Sequence, residues 1–302
     1  MKTKFEKIAD DLFLIPLNLP GTGFSQFISA WLYCGEKTFL VDVGASTTAT
    51  DLLSALQELN VRHLDYILLT HIHLDHAGAI GQIASAFPRT PIICHEAGIP
   101  HLIEPSKLWE GTKKILGSMA LSYGPVQAVE ANRFLGVNQF QTEGVTAIMT
   151  PGHAPHHVSF QTDNYLFVGE TGGIYISLPE KKFYMRPGTP PRFFLDVALQ
   201  SVDALIRSRP KTICYAHFGL NEDGLMMLEA HREQLLLWEA LIKDEIQSGA
   251  AKGRPDECLK RLLKEDPLMA NFDQLPPDIQ ERETFFLHSS INGYLGYLTS
   301  DG

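Results

Sequence analysis

The chain has 302 residues, 44% of them hydrophobic and 20% charged, with a formal net charge of -10. Such a composition belongs to a globular protein long enough for one large domain and an accessory element. The negative balance argues against broad nucleic-acid or anionic-membrane surfaces, which need clustered lysine and arginine, but it does not exclude a small anionic substrate.

The first six residues carry basic side chains with no apolar core behind them, and Asp10 and Asp11 interrupt any leader-like reading. No apolar run approaches the length of a transmembrane helix. Cys34, Cys94, Cys214 and Cys258 are far apart and form no C-x-x-C pair, so free thiols in a reducing cytoplasm are expected.

Strands are predicted at 12–15, 27–33 and 38–41, the last ending at Asp42-Val43-Gly44. Leu52, Leu53, Leu56 and Leu59 give 51–60 helical spacing. A short apolar strand at 66–69 leads through a histidine-rich segment to a helix at 79–86, stopped by Pro88, and then to a strand at 91–94. The alternation of strand and helix predicts a layered α/β core. Between 97 and 133 the pattern becomes helical, with its main helix at 106–121 ended by Gly124-Pro125, and reads as an insertion over the core. Strands return at 145–149, 158–161 and 165–168. The stretch 177–191, rich in Pro, Gly and Lys, reads as an irregular loop. A helix at 193–208 and a strand at 212–216 close the α/β part, 1–222. The remainder, 223–302, reads as a helical extension, with helices at 225–248 and 256–263 and a partly helical segment at 276–299.

The chemistry concentrates in Thr70-His71-Ile72-His73-Leu74-Asp75-His76. Three imidazoles and a carboxylate at the mouth of a buried strand are poorly satisfied unless a cation sits among them. If the segment leaves the strand extended, His71, His73 and Asp75 share one face, while His76 turns toward the next helix. One stretch then serves two neighbouring ions, the two alternating histidines on one and the Asp-His pair on the other. Three later places repeat the form of an apolar strand ending in a donor: His153 after 145–149, Glu170 after 165–168, and His217 after 212–216.

With these motifs in this order, the chain resembles the metallo-β-lactamase fold superfamily, close to its glyoxalase II and lactonase-like branch. His71, His73, Asp75 and His76 match its H-x-H-x-D-H motif, and the resemblance spans about residues 10–220. It implies a four-layer αβ/βα sandwich, with His71, His73 and His153 on a first metal and Asp75, His76 and His217 on a second. Glu170 would bridge the two. The family residue at the bridge is normally aspartate, so the extra methylene of Glu170 bears on metal spacing and identity. Zinc is the expected ion, with Mn or Fe the alternatives that oxygen-rich coordination allows. His157 and His156 are expected beside the ligands rather than among them, and Asp42 is expected to orient a ligand histidine or simply to form a turn. Trp109, Tyr123, Phe134, Tyr175 and Phe183 are candidate cleft aromatics.

The implied activity is hydrolysis of a small-molecule ester, lactone or thioester by a hydroxide held between two metals, with Asp75 protonating the leaving group. No G-x-S-x-G elbow offers a serine route. The alternatives are a small-molecule phosphodiesterase, a mononuclear iron persulfide dioxygenase, and a ligand-binding or regulatory module with residual hydrolysis. The partners expected are a small-molecule substrate and, through the C-terminal helical surface, a second copy of the chain; nucleic acid and membrane are not expected.

Overall fold

A computed structural model of the protein describes residues 4–248 and 255–299. Residues 1–3 and 300–302, the outer ends of the two regions delimited above, lie outside the described residues. Two sheets form the middle of the molecule. The first runs in chain order through β1 (Glu6–Lys7), β2 (Leu12–Leu17), β3 (Ile28–Cys34), β4 (Thr38–Val41), β5 (Tyr66–Leu68), β6 (Ile92–Cys94) and β7 (Phe134–Gly136). It is antiparallel from β1 to β4 and parallel from β4 to β7. The second is built from β8 (Thr146–Met149), β9 (Val158–Gln161) and β10 (Tyr165–Gly169). Between these and the rest of that sheet comes a separate hairpin, β11 (Ile174–Ser177) with β12 (Phe183–Arg186). Strands β13 (Thr212–Tyr215) and β14 (Gly219–Asn221) complete the second sheet in the order β14-β13-β10-β9-β8.

Side-chain alternation explains the layering. Leu12, Leu14, Trp31, Phe39 and Val41 face the second sheet and meet Phe160, Phe167 and Cys214. Their neighbours Ile15, Leu17, Ile28, Ala30 and Leu40 face outward, against helices α1 (Ala49–Glu58) and, after the short α2 (Leu74–Ala77), α3 (Ile80–Ala86). The insertion comprises α4 (Ile99–Ile103), α5 (Ser106–Leu116) and α6 (Ala120–Tyr123). On the far side of the second sheet, Leu166, Val168, Ile213 and Tyr215 pack against Leu205 of α7 (Leu195–Arg207) and Met227 and Leu228 of α8 (Gly224–Gln247). The result is the four-layer αβ/βα sandwich. Helices α9 (Pro255–Glu265) and α10 (Pro277–Thr299) close a further core around the fully buried Trp238 and Tyr294.

Four local expectations are corrected. The helix expected over 106–121 is broken at Gly117, whose φ of +58° no helix accommodates. The loop expected over 177–191 contains β12, because Phe183-Tyr184-Met185 is a strand-forming run hidden between Pro, Gly and Lys. The last segment is one continuous helix, α10. The extended reading of 71–76 fails as well: β5 stops at Leu68, and His73 (ψ 151°) is the cap residue of α2.

Candidate metal centre

All the donors predicted from sequence come to one edge of the two sheets. His71 and His73 lie between β5 and α2, and Asp75 and His76 lie within α2. His153 follows β8, Glu170 follows β10, and His217 follows β13. They form two sets, His71, His73 and His153, and Asp75, His76, Glu170 and His217. Within each set, one donor atom per residue lies within 4.8 Å of all the others.

The hydrogen bonds at the back of each ring decide which nitrogens point inward as lone pairs. His76 Nδ1 donates to Asp42 Oδ2 at 2.8 Å, and His217 Nδ1 donates to the Phe27 carbonyl at 2.6 Å. His153 Nδ1 donates to the Gly188 carbonyl at 2.7 Å. Thr70 Oγ1 donates to Asp42 Oδ2 (2.8 Å) and so accepts from His71 Nδ1 (3.1 Å). Each of these contacts fixes a tautomer with a bare Nε2 turned into the centre.

In the first set, the Nε2 atoms of His71 and His153 stand 3.0 and 3.1 Å from His73 Nδ1. One proton cannot satisfy three converging nitrogens. In the second, His217 Nε2 lies 2.8 Å and His76 Nε2 3.4 Å from Glu170 Oε1, and Asp75 Oδ2 lies 3.6 and 3.7 Å from the same two nitrogens. With the rings neutral, lone pairs face lone pairs throughout, and a cation in each set is the chemistry that resolves this. The residues fit metal ions.

The electrostatics of the two sets differ. Burial, with the mutual repulsion of neighbouring imidazoles, pushes His71 and His73 well below the usual histidine range. Burial also disfavours charge on His76, but Asp75, Asp42 and Glu170 outweigh it and hold that ring well above the usual range. Glu170 would be raised by burial; attraction to His153 and the close approach of the His153, His217 and His76 rings keep it well below the carboxylate range instead. Its Oε2 lies 2.8 Å from His153 Nδ1, the far nitrogen of that ring, while its Oε1 belongs to the second set.

Glu170 is held from its backbone. Gly169 takes φ +60°, and a Cβ there would collide with the His157 ring. The close approach lets Glu170 N–H donate to His157 Nε2 at 3.1 Å, while His157 Nδ1 bonds Thr150 Oγ1 at 2.8 Å. His157 thus lies behind the donors rather than among them. His156 packs beside the rings of His71 and His73, and burial pushes its pKa down to about 4.

A cavity of about 210 Å³ opens on both sets, touching His73, Asp75, His153, Glu170 and His217. Of the aromatics considered from sequence, Tyr123 lines it; Trp109 and Phe134 pack on the first core, and Tyr175 and Phe183 stack on each other in the hairpin. Phe27 and Phe286 were not foreseen. Phe27 stacks on Tyr123 (6.2 Å between centroids) and on Phe286 (6.0 Å), and its ring meets the His217 ring edge-on at 5.0 Å. No motif marks these two; they reach the site because α10 folds back over the loop before β3. Arg282 on α10 donates to the carbonyls of Gly23 and Ser25, and Asp278 accepts from Gly23 N–H.

A sandwich with paired donor sets at its sheet edge is the architecture of a metal-dependent hydrolase class, and the comparisons agree. The model of the metallo-beta-lactamase superfamily matches residues 26–217. A metallo-beta-lactamase fold-containing protein of Sulfurisphaera tokodaii is 30% identical over 235 residues, 74% of this chain and 82% of that protein. The crystal structure of an archaeal superfamily protein from Sulfolobus tokodaii is similar with a TM-score of 0.67 at 23% identity, covering 95% of this chain and 99% of the other. A hydroxyacylglutathione hydrolase of Idiomarina loihiensis is 29% identical over 136 residues, 45% of this chain and 42% of its own length. The chain belongs to the metallo-β-lactamase superfamily.

Proposed function

We propose that the protein is a hydrolase of small-molecule esters, lactones or thioesters that works with two divalent ions, zinc foremost. The observation that carries this reading is the set of back-side hydrogen bonds, which turns bare imidazole nitrogens into two adjoining clusters at one cavity. His71, His73 and His153 would hold one ion, and Asp75, His76, Glu170 and His217 the other. Divalent cations there would polarise a scissile carbonyl and acidify water.

The chain's own side chains do the rest. Asp75 lines the cavity with Oδ2 turned to His76 and His217, so its other oxygen, Oδ1, would take the proton released by the attacking water and pass it to a leaving group. Burial, together with the charges of Asp75 and Glu170, holds the Tyr123 phenol well above its usual pKa. It therefore keeps its proton and can donate a hydrogen bond to a bound carbonyl. The cavity wall of Phe27 and Phe286 keeps bulk water from the reacting group. The Idiomarina relative is named a hydroxyacylglutathione hydrolase, and hydrolysis of an acyl compound extends to the present chain as part of the proposal.

The test is elemental analysis of protein purified without added metal, followed by turnover on a panel of esters, lactones, thioesters and phosphodiesters. Two zinc per chain with carbonyl-ester turnover supports the reading. Full metal loading with no turnover of any carbonyl substrate overturns it in favour of a binding role, and a single iron per chain moves the oxygenase ahead.

A further inference from the structure

Away from the donor sets, most of the polar side chains around the cavity are engaged by the protein itself. Arg186 Nε is 2.6 Å from Glu283 and its Nη1 donates to the Pro187 carbonyl; Glu283 also takes a bond from Arg282 at 3.0 Å. Thr189 Oγ1 donates to the Ser290 carbonyl, Ser290 Oγ to the Pro187 carbonyl, and Thr112 Oγ1 to the Leu108 carbonyl. Among the described lining residues outside the donor sets, Arg186 is the one with a fixed positive charge, and it is paired with Glu283, which it shares with Arg282. The remaining wall is mostly apolar, with Phe27, Leu116, Ile174 and Phe286; the Tyr123 phenol, assigned above to the scissile carbonyl, and Ser289 are its polar members. Ile115, on the insertion helix α5, also lines the cavity although it is 69% exposed.

A carboxylate or phosphate entering this space away from the donor sets would lose water and find no unpaired cation in return. An apolar group loses little and buries the exposed side chains. We infer that the cavity takes the uncharged acyl group of an ester or thioester, and that Ile115 of the insertion and Phe286 of α10 set the length it accepts. This rests on the hydrolytic reading above and narrows it: substrates whose acyl part carries an acid are disfavoured against neutral acyl groups of medium length.

Two measurements separate the failure of this inference from the failure of the hydrolytic reading. The first is kcat/KM of the metal-loaded protein on p-nitrophenyl acetate, butyrate, hexanoate and octanoate, with succinate monoester as the charged comparator. The expected rise is about fourfold per methylene until the cavity is filled, with the charged ester below the butyrate. The second is calorimetric binding of alkan-2-ones of matching lengths, which needs no turnover. Affinity should climb with chain length by a similar factor, and Ile115→Asp, on an exposed helix face where folding is not at risk, should flatten the climb. Phe286→Ala should shift the preferred ester toward longer chains. A flat alkan-2-one series in the unaltered protein overturns the acyl cavity whatever the esters do, as does preference for the charged ester. A rising ketone series without ester turnover leaves the cavity intact and removes the hydrolase.

Discussion

The two donor sets adjoin one another, yet they are built on opposite electrostatic plans. The first is nitrogen only: three imidazoles, two of them driven well below the usual histidine pKa by burial and by one another. The second brings two carboxylates, and those, with Asp42 behind, hold His76 well above the usual range in spite of burial. With His71 and His73 held neutral, the first set has a proton to lose only at His153, where burial is outweighed by Glu170 and the pKa is raised above its usual range. An anionic set binds positive charge more strongly but lets a proton compete for the place. The lesson is that one short sequence stretch feeds two sites of different character, because the turn at His73 splits it: residues before the turn enter the first set, and those in α2 enter the second.

The largest expected effect tests that split. His73→Ala removes the nitrogen on which His71 and His153 converge, at 3.0 and 3.1 Å. One equivalent of metal should be lost outright, with the equivalent at the second set retained. Elemental analysis after exhaustive dialysis reads this directly. Loss of both equivalents would mean that the sets do not act separately, and unchanged metal content would remove His73 from the ligands.

A smaller effect is expected at Asp42, which touches the metal sets only through others. Its Oδ1 accepts from Thr70 N–H and its Oδ2 from Thr70 Oγ1 and His76 Nδ1, all at 2.8 Å. In Asp42→Asn an amide N–H can meet His76 Nδ1–H, donor against donor, which favours the tautomer with Nε2 protonated. The lone pair offered to the second set is then lost. Affinity there should fall by about 10–100-fold, measured by chelator competition, with less change at the first set. Equal weakening of both sets would erase the proposed difference between them.

Much of this site was legible in the sequence because histidines after strand ends are costly without a cation and because the motif order resembles a known superfamily. Five of the seven donors follow a strand, while Asp75 and His76 lie in α2. The α/β core was legible because short apolar runs such as Tyr66-Ile67-Leu68-Leu69, bounded by turn and helix signals, read as covered strands, and the structure places β5 there. What was not legible depends on contacts distant in sequence. Phe27 reads as the first residue of a strand; that its carbonyl holds His217, 190 positions away, follows only once both sheets are in place. Phe286 reads as one apolar position of a helix, and its place at the cavity depends on Arg282 and Asp278 anchoring α10 to Gly23 and Ser25. Gly117 and the β11–β12 hairpin were missed more locally, where composition hid one break and one strand.

The finest test uses Thr70, the relay between Asp42 and the first set. Thr70→Val keeps the side-chain shape and removes Oγ1, so His71 Nδ1 loses its acceptor, while Asp42 Oδ2 keeps its bond from His76. A buried imidazole N–H left without a partner costs about 1–3 kcal/mol, which thermal melting should register. Freed from Thr70, the His71 ring can turn or change tautomer, so the first set should weaken by about tenfold, the low end for an outer hydrogen-bond partner. The second set should not change. Asp42→Asn and Thr70→Val thus act on one hydrogen-bonded chain from its two ends, and their effects should fall on different metals. If Thr70→Val instead weakens the second set as much as the first, Asp42 is held in place by Thr70 rather than by its own strand-end backbone, and the two sets share a single support.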